Sequence, residues 1–232
     1  MLPDRRAIVF DLDDTLYPYR RFKMSGFLAV ARHLETTRGL DARLGFAALV
    51  GATRSRECGQ ELQACVDQHD LAPADLPEML DVFRHHTPRL RLARATGRML
   101  ARLRADGWRL GVLTNGQPTI QERKVAALGL AAHVDAIVYA MTCGRGVGKP
   151  EPEPFAAIAK RLDVPPEHIV FVGDDERCDI RGAQAAGMLA VRSCTWSPLT
   201  GATAARVVID RLARVPAVAQ ALLEEAQNRH AA

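Results

Sequence analysis

The sequence predicts an α/β fold: a doubly wound parallel sheet, interrupted after its first strand by an all-helical insertion. Three observations predict it. From Leu92 onward, short apolar runs of strand character alternate with helical patterns, and such alternation means a parallel sheet covered on both faces. Between residues 19 and 88 the apolar spacing is helical throughout, with no strand pattern. Ahead of that block stands one isolated strand-like run, "IVF", from Ile8 to Phe10. The helical block therefore reads as an insertion whose ends lie side by side.

The elements follow in order. The first strand runs into a turn carrying Asp11, Asp13 and Asp14. Beyond Pro18, Phe27, Val30, Ala31 and Leu34 recur at helical spacing, as do Phe46, Leu49 and Val50. Leu62, Cys65, Val66 and His69 form a third set, and Met79, Leu80 and Phe83 a fourth. "TRGLD" and "LAPADLP" separate the sets with breaker and cap residues. A helix over 92–105 ends near Gly107, and "WRLGVLT" is a strand. Pro118 suits the first position of a helix running to Leu128, with Gly129 as its stop. Then come the strand "AIVYA", a helix from about Pro154 to Leu162, the strand "IVFVGD" and a helix from about Asp179 to Ala186. "LAVRS", a weak strand "RVVID" and a helix from about Pro216 close the chain. The predicted division is a Rossmann-like core of residues 1–18 and 89–232 around a helical unit of residues 19–88.

Composition bounds the class. The chain has 232 residues, 48% of them hydrophobic, as expected of a soluble globule able to bury roughly 70% of its unfolded surface. Five cysteines, an odd number with no C-x-x-C pair, point to a reducing compartment. No signal-peptide pattern and no apolar run near membrane-spanning length is present, so the expectation is a cytoplasmic protein without a membrane partner. The net charge of +4 is spread among acidic residues, which argues against nucleic acid and suits gathering small anions. The densest basic stretch, "RHHTPRLRLAR" from Arg84 to Arg94, is expected to be a solvated helix face.

The polar residues at the strand ends carry the chemistry. Ligands of a doubly wound sheet bind beyond the carboxyl ends of its strands. There lie Asp11, Asp13, Asp14 and Thr15, then Thr114, Asn115 and Gly116, then Asp174, Asp175 and Asp179. Lys149 precedes a helix in "GRGVGKPEPEPF". Carboxylates crowded at one point call for a divalent cation, and oxygen ligands favour Mg²⁺ shared with a substrate phosphate. A hydroxyl, a backbone amide and a lysine hold a phosphoryl group. One carboxylate is then left to attack phosphorus and another to move the proton.

These residues make the chain resemble the haloacid dehalogenase (HAD) superfamily of aspartate-nucleophile hydrolases, over about residues 5 to 195. The resemblance rests on "DLDDT" (Asp11–Thr15), "LTNG" with Thr114, "GKPEPEPF" with Lys149, and "VGDDERCDIRGAQAAGM" with Asp174 and Asp179, in that order. It implies that Asp11 is the nucleophile forming an aspartyl-phosphate, and that Asp13 protonates the leaving group and then takes a proton from water. Mg²⁺ would sit on the Asp11 carboxylate, the Asp13 backbone carbonyl and Asp174. Thr114 and the backbone amide of Asn115 would bind the phosphoryl oxygens. Lys149 would offset charge around Asp11 and the phosphate, and Asp179 would support Lys149 or the metal waters. Asp175 departs from the pattern, since many relatives carry Ser there; a metal contact and a surface charge are both open to it. The helical block resembles the inserted cap of family members that mostly act on small phosphorylated metabolites.

The expected function is thus a Mg²⁺-dependent phosphomonoesterase for a small phosphorylated metabolite. The alternatives are a phosphomutase of the beta-phosphoglucomutase type and a non-catalytic binding or regulatory module. A dehalogenase is disfavoured because those relatives lack the second acidic residue, here Asp13. Arg20, Arg21, Lys23, Arg54 and Arg56 are candidates to meet substrate, each with a solvated surface charge as the plainer reading. His85 and His86 read as hinge or surface residues, since neither has a partner at metal-ligand spacing. Oligomeric state is left open.

Overall fold

The structure is a computed structural model that describes residues 5–54 and 59–230. In chain order its elements are β1 (Ala7–Phe10), α1 (Arg20–Arg38), α2 (Ala42–Ala52), α3 (Glu61–Gln68), α4 (Asp75–His85), α5 (Arg94–Ala105), β2 (Arg109–Thr114), α6 (Pro118–Leu128), β3 (Ala136–Tyr139), α7 (Pro152–Leu162), β4 (Ile169–Gly173), α8 (Gly182–Ala185), β5 (Leu189–Ser193), β6 (Val207–Ile209) and α9 (Val215–His230). The chain divides into two compact units, residues 1–18 with 91–232 and residues 19–90.

In the first unit the six strands are all parallel, in the order β3-β2-β1-β4-β5-β6. The chain winds one way from β1 to β3 and returns to the other side of β1 at β4. The β1/β4 junction is therefore the topological switch point, and the crevice beyond the carboxyl ends of these strands is where such sheets bind ligands. Every residue of β1 and of β4 is buried, as expected of central strands covered on both faces. Phe155 and Ile158 of α7 cover one face, packed with Phe171 and Leu113.

The second unit buries its own core: Phe27, Val30 and Leu34 of α1 with Leu49, Cys65, Val66 and Met79. Gly39, in the left-handed region at φ 68°, stops α1, and Asp41 caps α2 by accepting from the Arg43 amide at 2.7 Å. No helix among the described residues is long and apolar enough to cross a membrane.

The structure departs from the sequence reading in three places. Arg84–Arg94 is not a helix face: α4 ends at His85 and α5 starts only at Arg94. Pro88 lies between them, where a helix interior would reject it. His86 is no surface residue; it is buried, its Nδ1 lies 2.7 Å from the Phe83 carbonyl, and its ring packs on Phe22. The expected helix from Asp179 begins instead as a π-helical turn over Glu176–Arg181, followed by the short α8.

Candidate active site

The site is built on β1. Its last hydrogen bond runs from the Asp11 amide to Val172 of β4 (2.9 Å), which leaves the Asp11 side chain at the switch point, buried. Lys149 reaches it from a loop. Its Nζ donates to Asp11 Oδ1 (2.6 Å), Asp179 Oδ1 (2.6 Å) and the Leu113 carbonyl (3.0 Å). These three acceptors use all three ammonium donors.

Asn115 fixes the Lys149 backbone from both sides. Its Nδ2 donates to the Lys149 carbonyl at 2.9 Å, and its Oδ1 accepts from the Lys149 amide at 2.7 Å. The preceding Gly148 has φ +84°, and a Cβ there would stand 2.7 Å from Asn115 Oδ1. Only glycine allows this approach.

Asp179 is presented by the π-helical turn, a feature frequent at functional sites. Its Oδ2 accepts from the amides of Asp174 (3.1 Å) and Asp175 (3.0 Å). Both of its oxygens are thus engaged, and it braces Lys149 against the end of β4. Asp175 is exposed and caps the same turn, accepting from the Cys178 amide at 2.6 Å.

Carboxylate oxygens of Asp11, Asp174 and Asp179 lie within 4.8 Å of one another. Burial raises the Asp11 pKa well above the ordinary value, opposed by Lys149. Burial would lower the Lys149 pKa, but Asp11 and Asp179 outweigh it and hold the ammonium protonated. Burial, with Asp179 and Asp14 nearby, pushes Asp174 up to about 7. Among the described residues no donor serves the Asp174 carboxylate or the second oxygen of Asp11. Three clustered carboxylates against one ammonium leave an excess of negative charge with free oxygen ligands. That donor set fits a hard divalent cation.

Asp13 points elsewhere. Its carboxylate meets Lys124 Nζ at 2.8 and 3.0 Å, Gln121 Nε2 at 3.0 Å and the Tyr17 hydroxyl. Gln121 Nε2 also donates to Thr114 Oγ1 at 2.5 Å. The structure thus brings Asp11, Lys149, Asp174 and Asp179 together and holds Asp13 and Thr114 beside them through α6. Sequence reasoning passed over Tyr17, Gln121 and Lys124. The available signal was α6 itself: Gln121 and Lys124 share the buried face of Val125 and Leu128, where polar side chains need a reason.

Of the other candidates, Lys23 is paired with Glu61 at 2.5 Å within the helical unit. Arg20, Arg21 and Arg54 are exposed, and Arg56 lies outside the described residues, as does Cys58. Cys65 is buried, and Cys143, Cys178 and Cys194 are half-buried thiols.

Comparison with known proteins agrees with the geometry. A family profile described as haloacid dehalogenase-like hydrolase matches residues 5–187. The chain is 31% identical over 208 residues to the glyceraldehyde 3-phosphate phosphatase of Methanopyrus kandleri, covering 81% of this chain and 83% of that one. It is 33% identical over 156 residues to the phosphoserine phosphatase of Thermus thermophilus, covering 67% of this chain and 59% of that one. A crystal structure of a HAD phosphatase from Thermococcus onnurineus superposes with a TM-score of 0.60 at 24% identity, covering 92% of this chain and 97% of that one, and shares the fold. The chain belongs to the haloacid dehalogenase-like hydrolases.

Proposed function

We propose that the protein is a Mg²⁺-dependent phosphomonoesterase that acts on a small phosphorylated metabolite through an aspartyl-phosphate on Asp11. The observation that carries this reading is the buried Asp11 carboxylate, gripped by Lys149 at 2.6 Å with Asp174 and Asp179 alongside. Relatives named for phosphoserine and glyceraldehyde 3-phosphate support a small substrate.

Asp11 attacks phosphorus. Asp13 gives a proton to the leaving oxygen and later takes one from the attacking water. The Thr114 hydroxyl and the Asn115 amide bind phosphoryl oxygens. Lys149 holds the nucleophile in place and offsets the charge that gathers as phosphate enters. Asp179 holds Lys149. Asp11 and Asp174, with the Asp13 backbone carbonyl, would hold Mg²⁺, which when bound neutralises charge on the transferring group. The helical unit takes the role of a cap that selects among phosphorylated metabolites.

Phosphate release from para-nitrophenyl phosphate and a panel of metabolite monophosphates, with Mg²⁺ or with a chelator, tests the reading. Release that needs Mg²⁺ and vanishes in Asp11→Asn is expected. Full activity in Asp11→Asn would overturn the mechanism.

A further inference from the structure

Lys124 and Gln121 are almost completely buried, 3% and 1% exposed, on a helix that supplies no residue to the scheme above. Burying the Lys124 ammonium costs several kcal/mol of desolvation, and its partner Asp13 is only half-buried, so such a pair is a poor device for stability alone. Its location is informative. Lys124 touches both oxygens of Asp13 and Gln121 bridges Asp13 to Thr114. These are the two groups that must move a proton and grip the phosphoryl oxygens.

The geometry sets what each can do. Asp13 Oδ2 accepts from Gln121, so the amide nitrogen faces Asp13, and the same nitrogen serves Thr114 Oγ1. The Thr114 hydroxyl is therefore an acceptor toward Gln121. Among the described residues its own proton has only the Asn115 carbonyl at 3.4 Å, a contact long enough for a phosphoryl oxygen to displace. We propose that Gln121 and Lys124 are positioning residues for phosphoryl transfer: Lys124 holds Asp13 for its proton transfers, and Gln121 turns the Thr114 hydroxyl proton toward the phosphoryl group. The inference rests on the phosphatase reading and extends it.

In the first step, an Asp11 oxygen bonds to phosphorus as the bond to the leaving oxygen breaks, and that oxygen takes the proton of the Asp13 carboxyl. The carboxylate left behind faces Lys124. In the second step, the oxygen of water bonds to phosphorus and the bond to Asp11 breaks. Asp13 takes the proton from water, which returns it to its starting state, and inorganic phosphate leaves.

Leaving groups separate this role from a structural one. The test compares first-turnover rates on 2,4-dinitrophenyl phosphate, whose leaving group needs no proton, with those on the fastest alkyl phosphate of the panel. Lys124→Met is expected to slow the alkyl substrate by about 100-fold and dinitrophenyl phosphate far less. Later turnovers then lag, giving a burst of one dinitrophenolate per enzyme. In an Asp13→Asn background, Lys124→Met should add no further loss on the alkyl substrate. Gln121→Leu should weaken inhibition by inorganic phosphate roughly tenfold, with Lys124→Met changing it little. If Lys124→Met fails to fold, Lys124→Gln, which keeps a donor to Asp13, serves for the same comparison with a smaller loss. Equal fractional losses on both substrates, additive losses with Asp13→Asn, or unchanged phosphate inhibition in Gln121→Leu would overturn the inference alone. A wild-type protein that releases phosphate from neither substrate would overturn the phosphatase reading, and the inference with it.

Discussion

At the scale of single residues, Lys149 is the centre of the site. Its ammonium is the partner of two buried carboxylates, and an uncompensated buried charge costs about 3–5 kcal/mol. Lys149→Met should therefore lose activity and also lower the unfolding free energy by about that amount, as measured by denaturant titration. Gly148 carries the second residue-scale prediction. Alanine there would have to hold φ +84° and would crowd Asn115 Oδ1, so Gly148→Ala should cost about 1–2 kcal/mol and reduce turnover by displacing the Lys149 backbone. Asp11, Lys149, Asp174 and Asp179, which the structure brings together, were legible as candidates because each sits at a strand end or at a helix approach. The Lys124–Asp13 pair was not, because its members are 111 positions apart and nothing local ties them together.

At the scale of elements, α6 ran as expected from Pro118 to Leu128, because its signals are local: a proline at the first position and a left-handed Gly129 at the stop. The π-helical turn at Glu176 was illegible for the opposite reason. Its wide turn is held by Asp175 at the cap and by the Asp179 carboxylate folded back on two amides. Those contacts exist only once β4 is in place. Gly173, the last residue of β4, makes room for this: a Cβ there would collide with the Asp179 carboxylate. Gly173→Ala should push Asp179 away from Lys149. The expected result is a strong loss of turnover and of Mg²⁺-dependent stabilisation with the secondary structure retained, read by melting with and without Mg²⁺ and by circular dichroism.

At the scale of the whole molecule, each of the two units encloses its own apolar core, and the first unit also carries a cluster of three carboxylates against one lysine. A cation that binds only the folded chain stabilises it by mass action, by about 1.4 kcal/mol at ten times its dissociation constant. For a chain of this size that is roughly 3–6 °C in Tm. Mg²⁺ should therefore raise the melting temperature by about that much, a chelator should remove the gain, and Asp174→Ala should abolish it. No shift with Mg²⁺ in the wild-type protein would argue against the cation site.

The sequence by itself determined the α/β class, the all-helical stretch after the first strand, and the residues that stand at the strand ends. Periodicity, breakers and strand-end position are properties of short segments, so they can be read without knowing what lies across the sheet. The tertiary structure alone decided which of those residues act on one another. The order β3-β2-β1-β4 places β1 between β2 and β4. That order brings Lys149 onto Asp11 and Asp179, and Lys124 and Gln121 onto Asp13. These pairings join groups from distant parts of the chain, and their physical cause is burial, which takes most of the solvent from the charged groups and makes protein groups their partners.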